Sequence, residues 1–190
     1  MIAALKPLRA PLLRIGVVLT IFMLQRVLFV LMDQGAFPHT PASAFIGGAR
    51  FDLSAIAWCY LPWILCVLIA PGPTGILAAV QRGLFHLSNV LCFFLNCTDL
   101  VYFHFTLKRS TADLFNIAAG GNDLTHLAPV FLQDYWYVVL VFLGSIALAE
   151  WGYRRAAEQE DVPSRPWWVW RLVLIGLTVF NAVLGLRQEA

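Results

Sequence analysis

The chain has 190 residues, of which 60% are hydrophobic and 13% are charged, and its mean hydropathy is +0.75. Soluble globular domains are about 45–50% apolar and about 25% charged, so this composition excludes a water-soluble fold and a disordered chain. The net charge of +2 is too small to indicate a nucleic-acid partner.

Five apolar stretches are long enough to cross a bilayer as helices, which takes about 20 residues each. In chain order they cover residues 15–32, 51–70, 84–105, 129–149 and 167–186. No stretch alternates like a β-strand, so the sequence predicts an all-α integral membrane protein. The predicted fold is a five-helix transmembrane bundle that forms one membrane domain over residues 1–190. In the outer loop 106–128, Ser110, Thr111 and Asp113 precede an apolar pair and predict a short interfacial helix between helices three and four.

The basic residues of the loops predict the orientation. With a cytoplasmic N-terminus, eight Lys and Arg residues fall inside and four fall outside, which the positive-inside rule favours. Five spans then put the C-terminus outside. The predicted location is the cytoplasmic (inner) membrane, with several passes.

Charged residues within the predicted spans lie at one depth. Arg26, Asp99 and Asp134 each lie about 8–9 Å below the predicted outer boundary at a rise of about 1.5 Å per residue. Because an unpaired charge at this depth is costly, Arg26 and Asp99 are predicted to form an intramembrane pair. The polar residues of helix three recur at helical spacing, so they share a face that is predicted to point at other helices: Asn89, Cys92, Asn96 and Asp99.

Charged residues also flank this plane and complete a set of site candidates: Arg50, Asp52, Asp99, Arg109 and Asp113. Asp52 is predicted to begin helix two at the outer surface. Two interpretations stay open at this point. The set holds helices and loops together, or it forms an outward-opening polar cavity that binds an anionic lipid headgroup or docks an outer domain. In the second interpretation Arg50 and Arg109 are the residues expected to reach a phosphate.

The chain offers no catalytic chemistry of its own. Its four cysteines and four histidines lack metal-ligand spacing, and no nucleophile or phosphate-loop motif is found. We therefore predict no catalytic residue, no metal ligand and no cofactor within these 190 residues.

Two stretches resemble a known family. One is Gly48-x-Arg50-Phe51-Asp52-Leu53-Ser54, and the other runs from Asn96-x-x-Asp99-x-x-Tyr102-Phe103-x-Phe105 to Lys108-Arg109-x-Thr111-x-Asp113-x-Phe115. Together they resemble the N-terminal transmembrane domain of the lipoteichoic acid synthase and phosphoglycerol transferase family, within the sulfatase-like superfamily. The resemblance covers nearly the whole chain.

The resemblance implies a partner domain and a function. Members of the family are metal-dependent enzymes whose extracytoplasmic domain holds a threonine nucleophile and a divalent metal such as manganese. This catalytic domain is absent from the chain, so it is expected in cis or in trans, and no catalytic residue can be carried over. The chain is then expected to anchor such a transferase or hydrolase and to present a lipid headgroup to it. The alternative is a stand-alone small membrane scaffold or lipid-binding protein with no catalytic partner.

Overall fold

The computed structural model describes residues 9–37, 41–70, 74–106 and 133–158, together with residue 176. These residues form five principal helices and no β-strand: α1 (Arg9–Met32), α2 (Ala42–Cys59), α3 (Leu61–Ile69), α4 (Ile76–Thr106) and α5 (Trp136–Ala157). The all-α prediction is therefore confirmed for the described part of the chain.

Three of these helices, α1, α4 and α5, are long and apolar enough to cross a membrane. Arg14 near the start of α1 lies 4.1 Å from the ring centre of Tyr153 near the end of α5. Arg82 near the start of α4 bonds Glu150 of the same part of α5. The helices α1 and α4 thus run in the same direction, and α5 runs against both.

The helices α2 and α3 together form a bent pair. Their axes differ by 62° across a break at Tyr60. Neither helix alone is long and apolar enough to cross a membrane, but the two together are. Pro62 explains the break, because it has no N–H to donate back along the helix and its ring crowds the preceding turn. Continuous helix over 51–70 was therefore a wrong prediction.

Other helix bounds also differ from those predicted. The end of α1 is as predicted, but α2 begins at Ala42 and α4 extends over 76–106 instead of 84–105. Helix α5 (136–157) ends eight residues later than the predicted 149, because Glu150, Arg154 and Arg155 continue the helix as ion-paired residues, and residues 129–132 of the predicted span 129–149 lie outside the described residues. The outer loop with its interfacial helix lies outside the described residues, and so does the fifth predicted span apart from Gly176, which is helical.

The core lies between α1, the bent pair, α4 and α5. Its largest fully buried side chains are Trp63, Tyr60, Phe85 and Phe93. Buried residues of α1 recur at helical spacing on one face, from Arg14 through Val18 to Gln25. Many large apolar side chains remain exposed on the outside of the helices, which is what a lipid-facing surface requires.

Close packing of α1 on α5 depends on Gly152. A Cβ atom at this position would lie 2.7 Å from a methyl group of Val17. We therefore expect Gly152→Ala to lower the free energy of unfolding by about 1–3 kcal/mol through overpacking. Gly144→Ala is the matched control on the same helix, because nothing lies within 4 Å of its new methyl group. Denaturant unfolding in detergent micelles checks both; equal stability of the two variants would contradict this packing.

Candidate functional site

A cavity of about 260 Å³ lies between α1, α2 and α4. Its polar wall combines side chains from all three helices: Gln25 and Arg26 of α1, Asp52 of α2, and Asn96 and Asp99 of α4. The remaining wall is apolar and largely aromatic, and includes Phe22, Phe29, Phe37 and Phe45. A concave apolar site with a few converging polar groups is typical of ligand pockets.

The cavity contains a two-point ion pair between α1 and α2. The Arg26 guanidinium donates from Nη2 to Oδ1 of Asp52 at 2.5 Å and from Nε to Oδ2 at 3.3 Å. The Asp52 side chain is 10% exposed and that of Arg26 is 23% exposed. A fork of this kind fixes the guanidinium plane as well as its charge.

Gly48 also positions the Arg26 guanidinium, which packs against the backbone of α2 at this residue. It lies one turn before Asp52 on the same face of α2, and its carbonyl oxygen accepts a bond from Nη2 of Arg26 at 3.3 Å. A Cβ at residue 48 would lie 2.5 Å from Cζ of Arg26. The absence of a side chain at Gly48 is therefore what allows Arg26 to lie against α2.

Polar side chains of three helices meet beside this ion pair. Nε2 of Gln25 donates to the Ser145 hydroxyl at 2.9 Å, and Nδ2 of Asn96 donates to Oε1 of Gln25 at 3.0 Å. Ser145 in turn donates to the carbonyl oxygen of Val141. This chain of bonds ties α4 to α1 and α1 to α5, and it holds one wall of the cavity in place.

The predicted polar face of α4 is buried as expected. Asn89, Cys92 and Asp99 are buried, and Asn96 is half-buried. Asn89 accepts a 2.5 Å bond from the Tyr60 hydroxyl at the bend between α2 and α3. The same face of α4 therefore bonds the bend between α2 and α3 through Asn89, and it lines the cavity with Asn96 and Asp99.

The structure places the charged candidates in different environments. Asp52 does not begin a helix at the surface: it lies in the middle of α2 and is buried, because α2 starts ten residues earlier at Ala42. Asp99 lines the cavity, whereas Arg50 is exposed on α2 and is not part of the cavity wall. Arg109 and Asp113 lie outside the described residues.

Arg26 was predicted to pair with Asp99, and the carboxylate that it contacts in the structure is Asp52. Both Arg26 and Asp99 line the same cavity, while direct contact between them stays a prediction. Asp134 was expected within a span, but it precedes α5 and is exposed, since the helix begins only after the break at Tyr135.

Gln25 and Ser145 were not among the predicted site residues, and Gly48 was noted only as part of a motif. Gln25 was detectable as a polar residue in an apolar helix next to Arg26, and Gly48 as a glycine one turn before Asp52. Ser145 gave no signal, because a lone serine in an apolar helix commonly bonds its own backbone.

Among the described residues, no three His, Cys, Asp or Glu side chains are grouped so that they could hold a metal ion. Comparison of the chain with protein-family models, curated proteins and solved structures finds no match. The case for a function therefore depends on the resemblance of its motifs and on the cavity.

Proposed function

We propose that the chain is the membrane module of a phosphoglycerol-transferase-like or sulfatase-like enzyme that acts outside the cytoplasmic membrane. In this proposal the helices anchor the catalytic domain, and the cavity between α1, α2 and α4 holds a phospholipid headgroup for it. The observation that carries the proposal is the Arg26–Asp52 pair on the cavity wall, within helices apolar enough to span a bilayer.

The free-energy cost of placing an ion pair within the membrane favours a ligand-binding role over a purely anchoring role for these helices. Arg26 lies six residues before the end of α1 and Asp52 lies in the middle of α2. A charged residue carries an insertion penalty of up to about 2.5–3.5 kcal/mol, its value at the helix centre, and residues of this kind usually mark a binding site or pathway. Apolar residues of similar size would hold α1 and α2 together without that penalty.

Arg26 is the cation that the cavity offers to a phosphate. Its hydrogen bonds to Asp52 and Gly48 use Nε and Nη2, so the two N–H groups of Nη1 have no partner among the residues that the structure describes. A phosphate oxygen is a strong acceptor for the N–H groups of a guanidinium edge. The amide of Asn96 on the same wall can hydrogen-bond a glycerol hydroxyl or a second phosphate oxygen.

Arg26→Gln is expected to weaken the association of phosphatidylglycerol several-fold relative to phosphatidylcholine. The measurement is electron paramagnetic resonance of each spin-labelled lipid, with the chain reconstituted in phosphatidylcholine. Arg50→Gln is the comparison variant, since it removes the same charge from an exposed position on α2. Equal losses in the two variants would point to net charge alone and would contradict a role for the cavity.

The proposed orientation places the cavity in the outer leaflet. It also places the start of α2 on the outer side of the membrane and the end of α3 on the cytoplasmic side. Counting the bent pair as one span gives four candidate spans among the described residues. The contacts of Arg14 with Tyr153 and of Arg82 with Glu150 make α1 and α4 antiparallel to α5, which is consistent with the proposed orientation. With a fifth span, a reporter active only in the cytoplasm and fused after Ala190 is expected to be silent. Strong reporter activity there would reject both the topology and an outer catalytic domain attached at that end.

The reading frame downstream of codon 190 separates the enzyme module from a stand-alone scaffold. An in-frame sulfatase-like domain, or a neighbouring gene for one, is the expected result. An unrelated neighbouring gene, together with unchanged lipid association in Arg26→Gln, would favour the scaffold.

A further inference from the structure

A second charged cluster lies at the end of the bundle opposite the cavity. Glu150 of α5 is contacted there by three basic side chains. Its Oε1 accepts bonds from Nη2 of Arg82 and from Nε of Arg154, the latter at 2.5 Å, and its Oε2 lies 2.8 Å from Nε2 of His86. One carboxylate thus faces two permanent cations and a histidine.

The shared oxygen holds the two guanidinium groups side by side. Because Arg82 and Arg154 bond the same atom, their donor nitrogens lie within about 6 Å of each other, twice an ordinary hydrogen-bond length. A phosphate group can bridge donors at that separation with two of its oxygens. Glu150 therefore sets the spacing of a two-arginine clamp.

The clamp is open to a ligand. The side chains of Arg82 and Arg154 are 51% and 71% exposed, whereas that of Glu150 is 24% exposed. Each arginine uses one nitrogen for Glu150, so the remaining N–H groups of both have no partner among the described residues. With one carboxylate between two guanidinium groups, the clamp keeps a net positive charge.

The surroundings indicate a lipid as the source of the phosphate. Exposed apolar side chains lie at the same end of both helices: Trp151 is three residues before Arg154 on the same side of α5, and Leu77 and Val80 precede Arg82 on α4. Rows of this kind face acyl chains, and a tryptophan beside basic residues is typical of the membrane interface. A free phosphate ion makes no use of that apolar border.

We propose that Arg82 and Arg154, spaced by Glu150, bind the phosphate of an anionic phospholipid at the end of the bundle opposite the cavity. Clamps of this kind between helices recognise phospholipid headgroups on the cytoplasmic side of membranes. In the orientation proposed above, this end faces the cytoplasm. The site is independent of the cavity, because Arg82 precedes Asp99 by about 25 Å along α4.

The test compares variants that break the cluster in two different ways. Arg82→Gln and Arg154→Gln each remove a cation and a bond to Glu150, whereas Glu150→Gln weakens the same contacts but keeps both cations. Arg155→Gln is the matched control, since Arg155 lies on the same turn, is 64% exposed and pairs with Glu158 instead. The readout is the association of spin-labelled phosphatidylglycerol relative to phosphatidylcholine.

We expect a several-fold loss of phosphatidylglycerol preference in Arg82→Gln and Arg154→Gln. Arg155→Gln should keep the wild-type preference, whereas Glu150→Gln, which loosens the spacing of the two guanidinium groups but keeps both cations, should lose clearly less preference than either arginine variant. An equal loss in Glu150→Gln would show that the cluster only locks α4 to α5, and an equal loss in Arg155→Gln would show a net-charge effect. Both results would overturn the proposal, as would an unchanged preference in both arginine variants.

Two further measurements keep the result interpretable. Inorganic phosphate is added at increasing concentration to the wild-type chain; displacement of the lipid at millimolar levels would reassign the site to free phosphate and overturn the lipid assignment. If either glutamine variant fails to fold, Arg82→Lys and Arg154→Lys replace it. They keep the charge but lose the planar fork, so the proposal expects a smaller but measurable loss of preference.

Discussion

Asp52→Asn is expected to lower the free energy of unfolding by about 3–5 kcal/mol, because it leaves the half-buried charge of Arg26 without its carboxylate. The amide can accept one of the two bonds that Asp52 now accepts, but it carries no charge to offset the guanidinium. The measurement is denaturant unfolding in detergent micelles, with protein level in the membrane fraction as a second readout.

The control for this variant is Asp134→Asn. Asp134 is a carboxylate near the same predicted depth, but it is exposed before α5, so its replacement should change stability by less than about 0.5 kcal/mol. The double variant Arg26→Gln, Asp52→Asn should recover most of the lost stability, since it removes both charges together. A double variant as unstable as Asp52→Asn would contradict the ion pair as the cause.

Gly48→Ala is expected to lower the free energy of unfolding by about 1–3 kcal/mol, the usual cost of overpacking. The new methyl group would lie within 2.6 Å of Cζ, Nε and Nη1 of Arg26, so the guanidinium has to leave its seat on α2. That movement weakens the fork to Asp52 as well. Phosphatidylglycerol preference should therefore fall together with stability.

Gly47→Ala is the matched control for this substitution. Gly47 is the preceding residue of α2, is exposed, and has nothing within 4 Å of a new methyl group. Since alanine is a better helix former than glycine by up to about 1 kcal/mol, this variant should be neutral or slightly more stable. A stabilised Gly48→Ala would show that Arg26 does not lie against α2.

Periodicity and hydropathy predicted the parts of the fold that depend only on the order of apolar and polar residues along the chain. They gave the all-α class, the end of α1 and the buried polar face of α4 from Asn89 to Asp99, because these follow from helical spacing alone. The start of α2 was missed, since Ala42–Arg50 is too polar to count as part of a span and yet forms helix.

The partner of Arg26 could not be deduced from depth. Asp99 and Asp52 both carry the opposite charge, and the choice between them depends on the rotation and closeness of α1, α2 and α4. Gly48 decides the closeness, because it lets the guanidinium reach α2. A hydropathy window gives neither the rotation of a helix nor the effect of one missing side chain.

The charge cluster on Glu150 was missed for a related reason. The predicted span ended at residue 149, which left Glu150, Arg154 and Arg155 outside it. The contacts with Arg82 and His86 keep these residues in α5. Charges near a helix end are ambiguous in sequence, because a loop and an ion-paired last turn have the same composition.

The most direct measurement of the central claim is photo-crosslinking with a phosphatidylglycerol whose headgroup carries a photoreactive group. We predict that the labelled residues, located by mass spectrometry, lie on the cavity wall near Phe37, Phe45 and Asn96, and that labelling there falls in the charge-neutral double variant Arg26→Gln, Asp52→Asn. Labelling spread over exposed apolar side chains such as Ile46 and Trp136, with no enrichment at the cavity and no change in the double variant, would contradict the proposed headgroup site.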